Sequence, residues 1–563
     1  MSLLLQLSGS LFVVTLILSF TYTFLASPSI QLMAQQSSNQ NYVTYEKRSN
    51  FIKEFKIPIN ERGLKGIATD SEGNAWLYHQ TNKTSTIMKF NPENNTFNSY
   101  PIEGKTVTDD PVIKLAGGQI IYDEKRKSIW FTDARINSIG RLDINSGKIA
   151  VTKIPTNNSG IMGIVLSPED KEIWFAEIIG NKIGRFDIQS RAIDEYPTGN
   201  NTGPTLISFD KKGELWVTLS YAKSVLMVQP WLLIPETKLS GMFEIKLKEP
   251  DTFSPFGIAI TSNHNQSTIY LSDHGSSRVI VSNLTSELKE YISYWTSPSQ
   301  AYPATLPSQV VSDKFGNVYF PEHGGNRISK ISPTGLMTEF DIPTGPLATA
   351  VYIAVSPDAS KVWFTEWASN RIAYLDNSMT LPLELKPKNA SQMSVKVNQT
   401  YRIEILVTKN NITGTSPISL NEIDLSATGM TDSGLQGLTY LANPQRFNMT
   451  KNPSINGTID LTVDAKEAIA GKYTVMPRIS TLEKDDFTVS LLYPQTVTLY
   501  VPVHKTQIQN LPSSVNNEEG SNSMFIFLRD LARYASIGVA AILIGYLAYR
   551  KIVKSRIKRN MVK

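Results

Sequence analysis

The chain has 563 residues, of which 41% are hydrophobic and 19% charged. It is long enough for more than one domain and ordinary enough in balance to bury sizeable cores. Much of its net charge of +5 sits in residues 550–563 and the rest is near neutral, which excludes a nucleic-acid surface, while the absence of cysteine excludes disulfides, thiolate metal sites and a cysteine nucleophile.

At the N-terminus, "LFVVTLILSFTYTFL" at 11–25 reads as a signal-peptide core or an uncleaved anchor within residues 1–34, with Ala26 and Ala34 as candidate cleavage sites. Strand-like "FIKEFKIPI" follows at 51–59. Then a unit recurs: "NAWLYHQTNKTSTIMKF" from 74, "SIWFTDARINSIGRLD" from 128, "EIWFAEIIGNKIGRFD" from 172 and "ELWVTLSYAKSVLMV" from 214. The series continues with "TIYLSDHGSSRVIVS" from 268, "NVYFPEHGGNRISKIS" from 317 and "KVWFTEWASNRIAYLD" from 361. Its anchoring aromatics are Trp76, Trp130, Trp174, Trp216, Tyr270, Tyr319 and Trp363, spaced by 42 to 54 residues.

Each unit reads as four short strands separated by Asp, Gly and Asn turns, with no helical stretch between units. That period predicts an all-β, seven-bladed β-propeller over residues 51–380. The aromatics are expected in the cores between blades. The last unit lacks an outer strand, so 51–59 is expected to join it and close the ring.

Beyond 388 the aromatic repeat stops. "MSVKVNQTYRIEILVTKN", "NGTIDLTVDA", "GKYTVMPRIS" and "QTVTLYVPV" predict an immunoglobulin-like β-sandwich over 388–503. A polar, turn-rich stalk over 506–523 comes next. Residues 524–549, ending in "YASIGVAAILIGYLAY", are long enough for a C-terminal transmembrane helix. The basic tail 550–563 predicts a cytoplasmic C-terminus, and so a cell-membrane protein with a single pass and its bulk outside. Eleven Asn-x-Ser/Thr sequons, from Asn82 to Asn456 and none in the tail, suit an exported, glycosylated segment.

The repeat places one residue per blade at one end of the channel: His79, Asp133, Glu177, Tyr221, Asp273, Glu322 and Glu366. Two blades add a histidine, His274 after Asp273 and His323 after Glu322. A ring of Asp133, Glu177, Asp273, Glu322 and Glu366 would suit Mg²⁺ or Ca²⁺, which prefer carboxylate oxygen. A histidine beside it could serve as a general base. The plainer alternative is that the carboxylates bond backbone amides of neighbouring loops and the histidines are strand-end residues.

"WFAEIIGNKIGRFD" and "WFTEWASNRIAYLD", with the linking "EYP" and "EFDIPT" strands, resemble the virginiamycin B lyase (streptogramin lyase) family over roughly 51–380. The resemblance implies a seven-bladed propeller that opens a cyclic depsipeptide by magnesium-assisted elimination. It implies a catalytic histidine at the start of the inner strand of the "WFTEW" blade, a second one blade earlier, and the glutamate of "WFTEW" in the same site. Glu366 matches that glutamate, whereas the histidine positions hold Val351 and Ser308.

Three functions stay open on these residues. One is a displayed protein that binds a small molecule, peptide or cell-surface partner at the channel mouth. The second is a carbon–oxygen lyase using Glu366 with a relocated base, His323 or His274. The third is a lactonase-type hydrolase using metal-bound carboxylates. The chain has no Gly-x-Ser-x-Gly elbow, His-Glu-x-x-His pair or phosphate loop.

Overall fold

The computed structural model describes residues 49–500, apart from 82, 108–115, 235–240, 248–252, 264–265, 286, 299–303, 346–347, 389–391, 397–398, 411–415, 431–437, 464–470 and 484–487. The expected leader (1–34), stalk (506–523), transmembrane helix (524–549) and basic tail (550–563) lie outside the described residues. Among the described residues no helix is long and apolar enough to cross a membrane.

Seven four-stranded antiparallel sheets follow one another along the chain, over 64–102, 120–153, 161–197, 204–246, 255–295, 311–341 and 350–376. They are blades one to seven of a β-propeller. Blade seven takes its outer strand from Ile52–Lys56, which pairs antiparallel with Arg371–Asp376 from Ile52↔Leu375 to Lys56↔Arg371. The ring is thus fastened by strands more than 300 residues apart in sequence.

The repeating aromatics explain why four strands recur at this period. Trp76, Trp174, Trp216 and Trp363 are 0–1% exposed. Each shares a core with the following blade: Trp76 with Ile120 and Ile129, Trp174 with Ile207 and Leu215, Trp216 with Ile258 and Ile269, and Trp363 with Leu64 and Ile67. The indole N–H groups of the first three have hydrogen-bond partners, whereas that of Trp363 has none among the described residues. Trp76, Trp130 and Trp216 donate to Asp70, Asp123 and Asp210, the acids of the hairpin turn in their own blades. A buried indole without a partner is costly, so in blades one, two and four the Asp of the turn and the Trp of the strand come as a pair, and in blade three Glu172 takes that part.

Hydroxyls knit the inner strands together. Thr132, Thr218, Ser272 and Thr365 each donate to a backbone carbonyl of the next blade, on Met162, Phe256, Ser308 and Lys65 respectively, at 2.6–2.9 Å. The last of these joins blade seven to blade one.

Two sheets form the rest. Leu383–Pro387, Thr400–Lys409, Ser454–Val463 and Leu438–Asn443 make one, in that order. Ile418–Met430, Gly471–Glu483 and Thr488–Leu492 are central to the other. The sheets pack face to face, with Ile403, Ile405 and Ile459 sharing a core with Ile423, Leu425 and Ile479. The second sheet does not end at the sandwich. Thr488–Leu492 pairs antiparallel with Met337–Asp341, the outer strand of blade six, from Met337↔Leu492 to Phe340↔Val489. Propeller and sandwich therefore share one continuous sheet.

Candidate functional site at the acidic end of the channel

The antiparallel strands put the end of each second strand, the start of the third and the start of the first at the same end of the channel. Glu177 faces Lys182 in register, Asp273 faces Arg278, Glu322 faces Arg327 and Glu366 faces Arg371. Asp133, Glu177, Asp273, Glu322 and Glu366 are all 0% exposed. Asp273 Oδ2 accepts from Arg278 Nε at 3.0 Å, Glu322 Oε2 from Arg327 Nη1 at 3.0 Å, and Asp133 lies 3.6 Å from Arg135. Asp273 also accepts from the backbone N–H groups of Ser254 and Gly275 and from the Ser276 hydroxyl.

The carboxylates therefore do not form an open acidic rim. Asp273 and Glu322 are each drawn into their own blade by an arginine and by hydroxyl or backbone donors, whereas neither carboxyl oxygen of buried Glu177 has a hydrogen-bond partner among the described residues and Glu366 Oε2 accepts from the Ser369 hydroxyl. Among the described residues no three His, Asp or Glu side chains gather as a metal site. The five acids are enclosed, each at the end of a different blade's second strand, and do not converge on one point that an ion could occupy.

Three blades add a second glutamate, from the outer strand. Lys182 lies 2.6 Å from Glu195, Arg327 lies 3.9 Å from Glu339 and Arg371 lies 3.8 Å from Glu54. In blade six the two carboxyl groups share Arg327, whereas in blades three and seven the outer glutamate is the one within ion-pair distance of the cation. Burial and the charge of Glu195 push the Glu177 carboxyl up to about 8, and burial and Glu339 do the same to Glu322. Burial and Glu54 drive Glu366 well above the carboxylate range. The outer glutamates also reach across blades. Glu195 accepts from Thr156 N and Oγ1, Glu339 from Ser297 N, and Glu54 from Thr344 N and Oγ1, at 2.6–2.9 Å. Those donors end the preceding blade, so the glutamates of "EYP" and "EFDIPT" staple one blade to the next.

The histidines behave differently. His274 and His323, each 8% exposed, stack with ring centroids 5.4 Å apart and an interplanar angle of 30°. The Phe256 ring lies 5.2 Å from that of His274. His274 Nδ1 is 3.1 Å from the Pro307 carbonyl oxygen. Burial, then the neighbouring His274, pushes His323 down to about 3, and burial lowers His274. Both rings are neutral at physiological pH, and an imidazole that titrates near 3 is a weak general base. His79 is set apart, with Nε2 2.8 Å from the Glu61 carbonyl oxygen and its pKa lowered by burial. The Tyr221 ring fills the space beside left-handed Gly203, where an added Cβ would come within 2.5 Å of it.

Register identifies a residue that sequence reasoning missed. Leu64 faces His79, Pro307 faces Glu322 and Ala350 faces Glu366. Lys65, Ser308 and Val351 are therefore equivalent positions on the inner strands of blades one, six and seven. Ser308 is buried and its Oγ donates to the Val351 carbonyl at 2.9 Å. Lys65 Nζ donates to Gln80 Oε1 at 3.2 Å and to the Ala116 carbonyl at 3.0 Å, and burial, opposed by Asp133, lowers its pKa to about 7. A lone lysine in the apolar stretch "GLKGIAT" was the available signal. Farther along the inner strands lies a cavity of about 230 Å³, walled by Ile120, Leu206, Ile258 and Val310 with Gln119 and Gln309.

Residues 50–234 match the model of the Virginiamycin B lyase family. That span holds the closing strand, blades one to three and most of blade four; His274, His323 and Glu366 lie beyond it. Among solved structures, a streptogramin B lyase is 21% identical, with a TM-score of 0.48 and coverage of 58% of this chain and 97% of its own. A virginiamycin B lyase from Staphylococcus aureus gives the same identity, score and share of this chain. A catalytically inactive histidine-to-alanine form of that lyase, with quinupristin, is 20% identical. No curated protein sequence matches the chain.

Proposed function

We propose that the chain is a membrane-anchored, extracellular ligand-binding β-propeller of the virginiamycin B lyase type, which takes a small molecule or peptide at the mouth where His274 and His323 stack. The stacked imidazoles carry this reading. They are neutral and adjacent, and the acids beside them in sequence, Asp273 and Glu322, are already paired with Arg278 and Arg327. Neutral rings with donor and acceptor nitrogens suit amide and ester groups better than ions. The outward location is supported by the sequons, and the anchor by the apolar segment 524–549 with its basic tail. The sandwich, read as an immunoglobulin-like module, serves as a spacer.

The test is a binding screen of the full chain against cyclic peptides and esters, read by calorimetry, with His274→Ala and His323→Ala as controls. Hits that ignore both substitutions would sink this reading. Protease applied to intact cells should remove the propeller, and protection of it would sink the outward location.

A lyase is the second reading, favoured by Glu366 at the position that the resemblance marks. Val351 and Ser308 stand against it, because elimination needs a base within about 3 Å of the departing proton. No appreciable ring opening of a streptogramin B is expected. Turnover that disappears in His323→Ala would install the enzyme instead.

A further inference from the structure

The end of the propeller opposite the imidazoles carries the turns between first and second strands and between third and fourth strands. In blade four, a 3-10 turn at Pro230–Leu232 follows Ser224–Val228, and Met242–Lys246 is the outer strand. Trp231 is 59% exposed, Leu232 45% and Ile234 54%, and Phe243 on the returning strand is 47% exposed. The described residues that flank this turn are fixed. Gln229 N donates to the Gly241 carbonyl at 2.7 Å, its side-chain Nε2 donates to Glu214 Oε1 at 3.0 Å, and Leu233 packs on the blade core.

Trp231 lies beside the adjoining hairpin turn, since a Cβ added to Gly213 would be 3.8 Å from its ring. That turn carries Lys211 and Lys212, both exposed. Its acid, Asp210, is 6% exposed and spends its Oδ1 on the backbone N–H groups of Lys212 and Glu214. The outward charge of the turn is therefore positive. Two blades on, the corresponding turn holds Phe315, 63% exposed, with Lys314 Nζ 5.4 Å from its ring centre.

We propose that this end of the propeller docks on an anionic lipid surface. Trp231, Leu232 and Ile234 enter the boundary between headgroups and acyl chains, and Lys211 and Lys212 meet the headgroup phosphates. A tryptophan beside aliphatic residues, with lysines at the base, is the composition that an interfacial contact uses. The contact rests on the anchoring reading only in that an anchored chain has a bilayer at hand.

The absence of cysteine allows a direct test on the full chain. An environment-sensitive fluorophore is placed at Ile234→Cys, or at Val151→Cys as a control on the outer strand of blade two, where Val151 is 41% exposed. The labelled chain is mixed with phosphatidylcholine vesicles, with or without phosphatidylglycerol, carrying brominated acyl chains. Expected is quenching several-fold stronger at 234 than at 151. It should be greatest with phosphatidylglycerol, lost in Trp231→Ser, and reached only at roughly tenfold more lipid in Lys211→Glu plus Lys212→Glu. A chain that floats with the vesicles yet shows equal, weak quenching at both positions overturns the proposal while leaving anchoring intact. Capture of another protein by a cross-linker at 234 under those conditions overturns it in favour of a protein partner. A chain that does not float refutes anchoring. Lipid titration then reads the patch alone, and the absence of quenching at 234 overturns the proposal there too.

Discussion

In blades three, six and seven, a glutamate that ends the second strand is followed four residues later by an asparagine and then by a base: Glu177-Asn181-Lys182, Glu322-Asn326-Arg327 and Glu366-Asn370-Arg371. The asparagines sit in the left-handed region, with φ of 54°, 56° and 57°. There a short polar side chain can bond locally. Asn326 donates to the carbonyls of Ile342 and Thr344 and accepts from Ala348 N, latching the crossover to blade seven. Asn326→Ala loses these bonds and strains the turn, at an expected cost of about 2–4 kcal/mol measurable by urea denaturation. The glutamates set a pH dependence. Glu177 and Glu322 titrate near 8 in the fold against an ordinary 4.5. Their stabilising effect is complete below 4.5 and is lost as pH rises towards 8, because the unfolded chain releases protons that the fold retains. The melting temperature should fall between pH 5 and 8, and Glu177→Gln plus Glu322→Gln should flatten that fall; an unchanged slope would refute the assignment. The spacing of acid and base was legible in "EIIGNK", "EHGGNR" and "EWASNR". Their pairing was not, because it depends on cross-strand register, and comparing equivalent acids around the ring hides the partner inside each blade.

Among the elements, Ile52–Lys56 does the most for its length. Phe55 packs on Phe90 at 4.9 Å and on Tyr374 at 6.0 Å, so the strand binds both blade seven and blade one. Glu54 adds the staple to Thr344. A chain lacking residues 49–59 bares the edge of Arg371–Asp376 and should lose several kcal/mol, about what the largest point mutations cost. Scanning calorimetry of that deletion against the full chain decides it, and coincident melting would contradict the closing role. The strand was readable because "EFKIP" matches the "EFDIP" of blade six. The inner strands were harder to read. Gln119 and Gln309 each accept from a backbone N–H of the next blade, on Ile164 and Ile353, at 2.7 and 2.9 Å. A lone glutamine in an apolar strand carries no signal of which neighbour it serves.

Across the whole molecule, the seven-fold period was plain in the sequence because each blade needs its own aromatic and its own turn. The sheet shared by blade six and the sandwich was not, since Met337–Asp341 and Thr488–Leu492 stand about 150 residues apart and carry no local mark of their pairing. Phe51, Phe340 and Leu383 share a core with Leu491 and Ile423, so apolar packing reinforces that pairing. A protease site introduced between Asn377 and Leu383, once cut, should leave two fragments that co-elute in size exclusion and melt in a single transition; separation without denaturant would refute the joint. A continuous sheet also lacks the compliance of a hinge. The sandwich then acts as a rigid outrigger: the propeller axis keeps one bearing relative to it, and the pair reorients in solution with a single rotational correlation time. A torque applied to the sandwich is felt directly by the blade that bears His323.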